Sequence, residues 1–383
     1  MITRVIWNLI RVPKRVRLYF GEKWYRLKIT FLSLFYNEFL DWGYACDTLM
    51  EPIFWFVNNF TAVLGPLLVF TVSVLTAIIV YIAYYIGFPY WWEKSPLMTC
   101  VLMIIGNWIL MNVLFHYYMG VNVPAGYPPS GILIPEAVSI CKKCISPKPP
   151  RTHHCSVCNR CILKMDHHCR ILFPFTIPVY SWLNNCVGHY NHRHFLQYMA
   201  FTVLGVVFLM LFGVEIAYQE YFPAQDPDLH GHPVRINNSE IIPVTESMDH
   251  LSAEELSEIA RQNEEIKEHE LRRRLILFAA LICVATFAAL GALTFWHAGL
   301  IARGETSIEA RINATERKKY KSLGKDYQNP YDFGPRKNWK IFLGLRGRSW
   351  WRILMPSTHK PDGDGLIWES IYDKIVMEGC QAR

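Results

Sequence analysis

Seven of the chain's eleven cysteines lie between residues 141 and 186, interleaved with histidines. They run as Cys141-x2-Cys144, then His154-Cys155-x2-Cys158-x2-Cys161, then Asp166-His167-His168-Cys169, and finally Cys186. Cysteines two residues apart let one tight turn supply two ligands to a tetrahedral zinc ion. Seven cysteines with two or three histidines suffice for two closed zinc sites and leave one thiol over. Cys169, after an aspartate and two histidines, is the chemical question, because a thiol becomes nucleophilic when a neighbouring base helps it ionise. In this run one imidazole can serve as that base while the carboxylate fixes its tautomer. The other imidazole is then free to bind zinc. A purely structural zinc knuckle is the alternative reading of the same residues.

Such a cluster needs a frame, and the frame is apolar. Of the 383 residues, 52% are hydrophobic and 14% aromatic, and windows 52–92, 95–135, 195–214 and 275–302 contain no Asp, Glu, Lys or Arg. Each can supply the run of about 20 residues that a helix needs to cross a bilayer. The first crossing is expected near 61–86, with "FPYWW" as an interfacial aromatic belt. The second is expected near 96–118, because "VPAGYPPSG" at 123–131 cannot continue a helix. The expected fold is a polytopic α-helical membrane protein with four transmembrane helices and a cytosolic cysteine-rich domain between the second and third.

Charge gives the orientation. The N-terminal segment 1–51 has eight basic and five acidic residues, the cysteine-rich domain 120–194 eight and two, and the C-terminal region 303–383 sixteen and ten. The segment 219–274 is acidic, six against thirteen counted from residue 220. Spans at 52–119 (two), 195–218 and 275–302 put the basic segments on one side. The positive-inside rule makes that side the cytosol, with both termini there and 219–274 as a luminal loop. "LRRR" at 271–274 cuts against this bias locally. A cytosolic segment is reducing, so metal ligation rather than a disulfide framework is expected for 141–186.

Outside the cluster the signals are plainer. The basic, aromatic N-terminus does not read as a signal peptide and is expected either on a membrane surface or in solvent. "SAEELSEIARQNEEIKEHELRRR" reads as a charged amphipathic helix, and Asn237 as a glycosylation acceptor if it faces the lumen. "RSWWRILMP" at 348–356 suggests an interfacial segment or one packed on the zinc domain. The terminal "CQAR" is not an accepted prenylation signal. His116, His297 and Glu215 fall at span borders, which argues against an ion path and suggests interfacial positions. The basic clusters sit in a membrane context and give no case for nucleic-acid binding.

"CKKCISPKPPRTHHCSVCNRCILKMDHHC" with "WLNNCVGHYNHRHF" resembles the cysteine-rich domain of the DHHC-type protein S-acyltransferases. "GETSIE" at 304–309 is similar to that family's Thr-Thr-x-Glu motif, and "NPYDFGPRKNWKIFLG" at 329–344 to its C-terminal motif. "ALGALTFWHAGLIARGETSIEARIN" is most like the Abl-philin branch, which implies endoplasmic reticulum or Golgi membranes. The resemblance implies one structural zinc held by Cys141, Cys144, His154 and Cys161, and another by Cys155, Cys158, His168 and Cys186. It implies Cys169 as acyl acceptor, His167 as its base, Asp166 as the group orienting His167, and Ser307 beside Asp166. Lys148 and Arg151 match positions that contact the phosphates of acyl-CoA, the implied co-substrate; attraction to an anionic membrane surface is the other account of them. The implied reaction moves a palmitoyl-type chain from acyl-CoA to Cys169. From there it passes to membrane-proximal cysteines of substrate proteins facing the cytosol.

The chain departs from the resembled pattern at one place. Sixteen residues, 170–185, separate Cys169 from Cys186, where the pattern has five that begin Pro-Trp. The tryptophan survives as Trp182, and "RILFPFTIPVYS" at 170–181 stands where one proline is expected. A longer loop costs only on the order of 1 kcal/mol more to close. The expectations that follow are a working enzyme, a catalytically silent zinc scaffold, or a splice form or gene-model error.

Overall fold

The computed structural model describes residues 14–35, 65–129, 134–135, 137–168, 183–222 and 253–373. Cys169, the residues 170–182 that follow it, Asn237 and the terminal "CQAR" lie outside them. Two units partition the chain at residue 64. In the first, Lys14–Phe35 form helix α1, with Trp24 among its exposed side chains.

Among its described residues, the second unit contains four helices long and apolar enough to cross a membrane. They are α2 at Gly65–Lys94, α3 at Pro96–Asn122, α4 at His192–Tyr221, and α5 at Ala253–Ala302, whose apolar part completes the set. A π-helical turn at Ala83–Gly87 interrupts α2. Ser95 caps α3, its side chain accepting from the Met98 amide, and Pro96 takes the first helical position, where no N–H is needed. The charged stretch before the fourth span continues that helix without a break. Its arginines are answered across the interface: Glu220 of α4 lies 3.6 Å from Arg272 and 3.8 Å from Arg273. That pairing offsets the local basic run that opposes the charge bias.

Lipid tails are as apolar as leucine, so spanning helices associate through close packing and internal polar contacts. A Cβ on Gly205 of α4 would sit 3.3 Å from Ile109 of α3, and one on Gly106 would sit 3.3 Å from Phe208. The core where α3, α4 and α5 meet includes Ile109, Val113, Phe195, Met199 and Ile301. His116 belongs to this core rather than to the membrane interface. It is fully buried, with its Nδ1 2.9 Å from Nδ1 of His194 and its ring stacked on Phe201. Its face of α3 points at α4, which takes it out of reach of the interface.

Between α3 and α4 lie three antiparallel hairpins: β1 (Ser139–Cys141) with β2 (Ser146–Lys148), β3 (His153–Cys155) with β4 (Arg160–Ile162), and β5 (His167–His168) with β6 (Cys186–Val187). Asn185 fastens this domain to the second span, its Nδ2 within 3.2 Å of the carbonyls of Gly120, Val121 and Val123 at the end of α3. Gly188 is obligatory here. A Cβ would meet the carbonyl of Ala125 at 2.8 Å, Ile162 at 2.8 Å and the carbonyl of Leu163 at 2.9 Å.

After α5 come α6 (Ser307–Ser322), α7 (Pro335–Phe342) and a 3-10 turn at Trp350–Ile353. The asparagine-rich stretch ties them back. Asn338 donates to the carbonyl of Ala302, the last residue of α5, where no intrahelical partner remains, and Asn329 to that of Arg303 just beyond it. The "RSWWRILMP" segment docks on the spans themselves. Trp108 and Asn112 of α3 donate to the Leu354 carbonyl, and Gln197 of α4 to that of Ile353. Trp350 and Trp351 stay exposed.

Candidate active site

Each of the first two hairpins presents a Cys-x2-Cys turn. The Cys144 amide donates to the Cys141 sulfur and the Cys158 amide to the Cys155 sulfur, and in each turn the next residue is left-handed, Ile145 at φ 50° and Asn159 at φ 50°. Asparagine adopts that conformation readily. For isoleucine it costs roughly 1–2 kcal/mol.

The turns bring eight side chains into two groups, Cys141, Cys144, His154 and Cys161, and Cys155, Cys158, His168 and Cys186. A tetrahedron with Zn–S near 2.3 Å and Zn–N near 2.0 Å has edges of about 3.5–3.8 Å. In the first group Cys144 Sγ lies 3.1 Å from His154 Nδ1, Cys141 Sγ lies 3.6 Å from it, and Cys161 Sγ lies 3.8 Å from Cys144 Sγ. In the second, His168 Nδ1 lies 3.0–3.5 Å from the three sulfurs, and Cys158 Sγ 3.3 Å from Cys186 Sγ. Both groups fit a four-coordinate zinc with no position left for water.

The third hairpin separates the two histidines of the motif. Successive strand residues point to opposite faces. His168, paired with Cys186, therefore faces the second cysteine group, and His167, paired with Val187, faces away from it. On that other face His167 Nδ1 sits 2.5 Å from Asp166 Oδ2. Asp166 is fully buried, and the start of α6 grips it: the Ser307 amide donates to Oδ1 at 2.7 Å, and the Ser307 hydroxyl lies within 3.0 Å of both oxygens. An unsatisfied amide at a helix N-terminus suits a carboxylate. Burial alone would raise the Asp166 pKa. The imidazoles of His192, His167 and His297 hold it instead well below the ordinary carboxylate value. Cys169 directly follows His168, outside the described residues.

Two histidines flank this carboxylate that sequence spacing does not connect with it. His297 of α5 places Nδ1 3.8 Å from Asp166 Oδ2, and His192 of α4 places Nε2 4.0 Å from Oδ1. His297 is 1% exposed, so it is a component of the site and not the interfacial residue its place in the chain suggests. Helical spacing from "GETSIE" is the one available signal. His297 precedes Ser307 by ten residues across a helix end and a turn, too irregular a path to read as proximity.

Arg151 and Glu309 form the second buried feature. Arg151 Nε and Nη2 each donate to a Glu309 carboxylate oxygen at 2.6 Å, a fork-on-fork pair, and Nη2 also donates to the Gly304 carbonyl at 2.9 Å. The guanidinium lies 4.4 Å from the Tyr331 ring and 4.8 Å from that of Trp368. Glu309 also closes the capping box of α6, accepting from the Thr306 amide at 2.8 Å. Burial pushes the Glu309 pKa up, and the charge and hydrogen bonds of Arg151 bring it below the usual value. Arg151 thus joins the zinc-binding fold to α6, whereas Lys148 sits half-buried on β2. Beside the pair, a cleft of about 240 Å³ is lined by Arg151, Lys164, Tyr331, Phe342 and Trp368. Burial, then the charge of Arg151, pushes the Lys164 ammonium down to about 7.

Comparison with known proteins gives these groups a family. Residues 135–314 match the family description "DHHC palmitoyltransferase". The chain is 37% identical to palmitoyltransferase ZDHHC16A of Danio rerio over 94% of its own length and 91% of that protein's. It is 39% identical to palmitoyltransferase ZDHHC16 of Homo sapiens, over 91% of its own length and 86% of that protein's. A probable protein S-acyltransferase 16 of Arabidopsis thaliana shares 29% identity over 61% of this chain and 63% of its own. With two zinc-fitting groups between the second and third of four apolar helices, and relatives aligned along most of its length, the chain belongs to the DHHC palmitoyltransferase family.

Proposed function

We propose that the protein is an S-acyltransferase working in two steps at the cytosolic membrane face of the endoplasmic reticulum or Golgi, with both termini cytosolic. The observation that carries this reading is the clamped pair Asp166–His167. The shared hydrogen bond keeps the ring proton on Nδ1 and leaves Nε2 as the base, two positions before Cys169 in the chain. In the first step His167 takes the Cys169 proton. The thiolate attacks the acyl-CoA thioester, and coenzyme A leaves as its thiol with the proton returned by His167. In the second, His167 deprotonates a substrate cysteine, which attacks the Cys169 thioester and restores the Cys169 thiol. Ser307 positions Asp166.

Acyl methylenes lying among the spans would each gain about 0.8 kcal/mol from leaving water. Lys148 would contact the phosphates of coenzyme A, alongside any part of Arg151 not held by Glu309. The two zinc ions would be structural. They would supply cross-links that hold the hairpins, and so the Asp166–His168 strand, against the spans. Metal analysis of purified protein is expected to give two zinc ions per chain, and Cys144→Ala to leave one.

The test is radiolabelling with a fatty acyl-CoA. Cys169→Ser should lose the label that hydroxylamine releases from the enzyme, and should pass none to a substrate protein. Label that persists unchanged in the serine variant would sink the mechanism. The sixteen residues between Cys169 and Cys186 support a second reading, a zinc scaffold without acyl transfer. Cys169 there lacks the Pro-Trp that the family pattern places after it. That reading predicts zinc-dependent folding in the chain as written but no acyl-enzyme. A form shortened by eleven residues after Cys169 would then regain one.

A further inference from the structure

The arrangement around Asp166 contains more than an acid–base pair requires. Ligand atoms of Asp166, His167 and His297 all lie within 4.8 Å of one another. His297 is 1% exposed, its Nδ1 makes no hydrogen bond, and that atom points at Asp166 Oδ2 across 3.8 Å. An imidazole nitrogen buried without a partner loses its hydration and recovers nothing within the fold. In the tautomer with its proton on Nε2, this nitrogen presents a lone pair that a metal ion can take. His192, 3% exposed and also without a hydrogen bond on either ring nitrogen, flanks the other carboxylate oxygen.

We propose that Asp166, His167 and His297 form a third metal site, distinct from the two cysteine-rich ones, which takes a zinc-class divalent ion reversibly and silences the enzyme when filled. Two imidazoles and one carboxylate are the donor set of catalytic-type zinc sites and are poorly suited to magnesium or calcium, which want oxygen. Ligand-to-ligand edges around a zinc held by nitrogen and oxygen are about 3.3 Å. The 2.5 Å separation of His167 Nδ1 from Asp166 Oδ2 and the 3.8 Å separation of His297 Nδ1 from that oxygen each need to move by less than ~1 Å to reach this. Ser307 keeps its hold on Oδ1 throughout.

The consequence for the reaction follows from the imidazole itself and rests on His167 being the base. A neutral imidazole carries one ring proton. If Nδ1 binds a metal, that proton moves to Nε2, and the nitrogen that has to accept the thiol proton becomes a donor. No proton is gained or lost by the protein, and the base is switched off. A site of three protein ligands leaves a coordination position open to a chelator, which the closed cysteine sites do not, and the block is reversible on that account.

The experiment uses the full chain in detergent, loaded with its two structural zinc ions, and titrates it with Zn²⁺ while bound metal is counted by mass spectrometry. A third equivalent is expected to bind, acyl-enzyme formation to fall in step with it, and a weak chelator to restore labelling while two ions remain. Co²⁺ provides the spectroscopic arm. Ions in the cysteine groups show thiolate charge-transfer absorption, and the third should add ligand-field bands without it. His297→Gln should weaken the third ion by at least about tenfold, the lower end of what even outer partners of metal ligands contribute. It should retain the charge-transfer bands, which report that the domain is folded. A wild-type stoichiometry fixed at two overturns the proposal without any variant, as does a third ion that His297→Gln binds equally well. Metal counting and cobalt spectra do not depend on acyl transfer, so failure of the proposed reaction and failure of this site give different results.

Discussion

Asp166→Asn is expected to lower acyl-enzyme formation by about 10³–10⁴-fold, the size of loss seen where the same change puts a catalytic base in the wrong tautomer. The amide has a similar shape, and its carbonyl oxygen can still accept from the Ser307 amide that now bonds Oδ1 at 2.7 Å. Its NH₂ then turns toward His167, where a carboxylate oxygen accepts at 2.5 Å. The ring must answer with a lone pair on Nδ1 and so carries its proton on Nε2, which ends its use as a base. Ser307→Ala is the milder neighbour. It keeps the backbone donor and loses one hydroxyl, a change of about 1 kcal/mol and so roughly fivefold. Single-turnover labelling on protein shown to retain two zinc ions separates the two, and equal losses from both substitutions would contradict the tautomer argument.

The second large effect concerns stability. Arg151 and Glu309 are 6% and 11% exposed at their side chains, and their two charge-assisted bonds join the zinc-binding domain to α6. Removing one member of such a pair leaves the other charged and dry, at a cost of about 3–5 kcal/mol. Glu309→Gln is therefore expected to destabilise the protein by that order, although its amide oxygen can still accept from the Thr306 amide at the start of α6. Replacing both residues with apolar ones of like size should cost distinctly less, because nothing charged is stranded. Denaturant melts of the two single variants and the double variant in detergent test this, and a double variant as damaged as Glu309→Gln would refute it. The pH dependence has a definite sign. Glu309 titrates below its usual 4.5 in the fold. The pair's stabilisation is thus complete above that value and disappears as pH falls through the lowered one.

The two sites differ in how far the sequence reveals them. Zinc-fitting cysteines announce themselves because one tight turn can supply two of them, so Cys141 with Cys144 and Cys155 with Cys158 are visible as spacing. The role of His168 against His167 is less visible, since only the β5–β6 pairing assigns them to opposite faces. The family resemblance implies that division of roles and sets Ser307 beside Asp166; the Ser307 hydroxyl lies within 3.0 Å of both carboxylate oxygens. Arg151 has a charge that reads as a phosphate contact. Its bidentate grip on Glu309 could not be inferred, because 158 residues and two membrane spans separate the partners.

Helix periodicity, charge-free windows and paired cysteines are local properties, and each is decided by neighbours within a few turns of chain. They determined four apolar helices and a metal-ready segment between the second and third, and they singled out the run Asp166–Cys169 as the proposed place for chemistry. Only the packing of α3, α4, α5 and α6 decided what surrounds that run. It buried His116 against α4, set His192 and His297 beside Asp166, and caught the carbonyls of the 350–359 segment on Asn112, Arg193 and Gln197. A polar side chain in a span reads the same from sequence whether it faces lipid, water or another helix. The difference is a matter of rotation about the helix axis, which neighbouring helices alone fix.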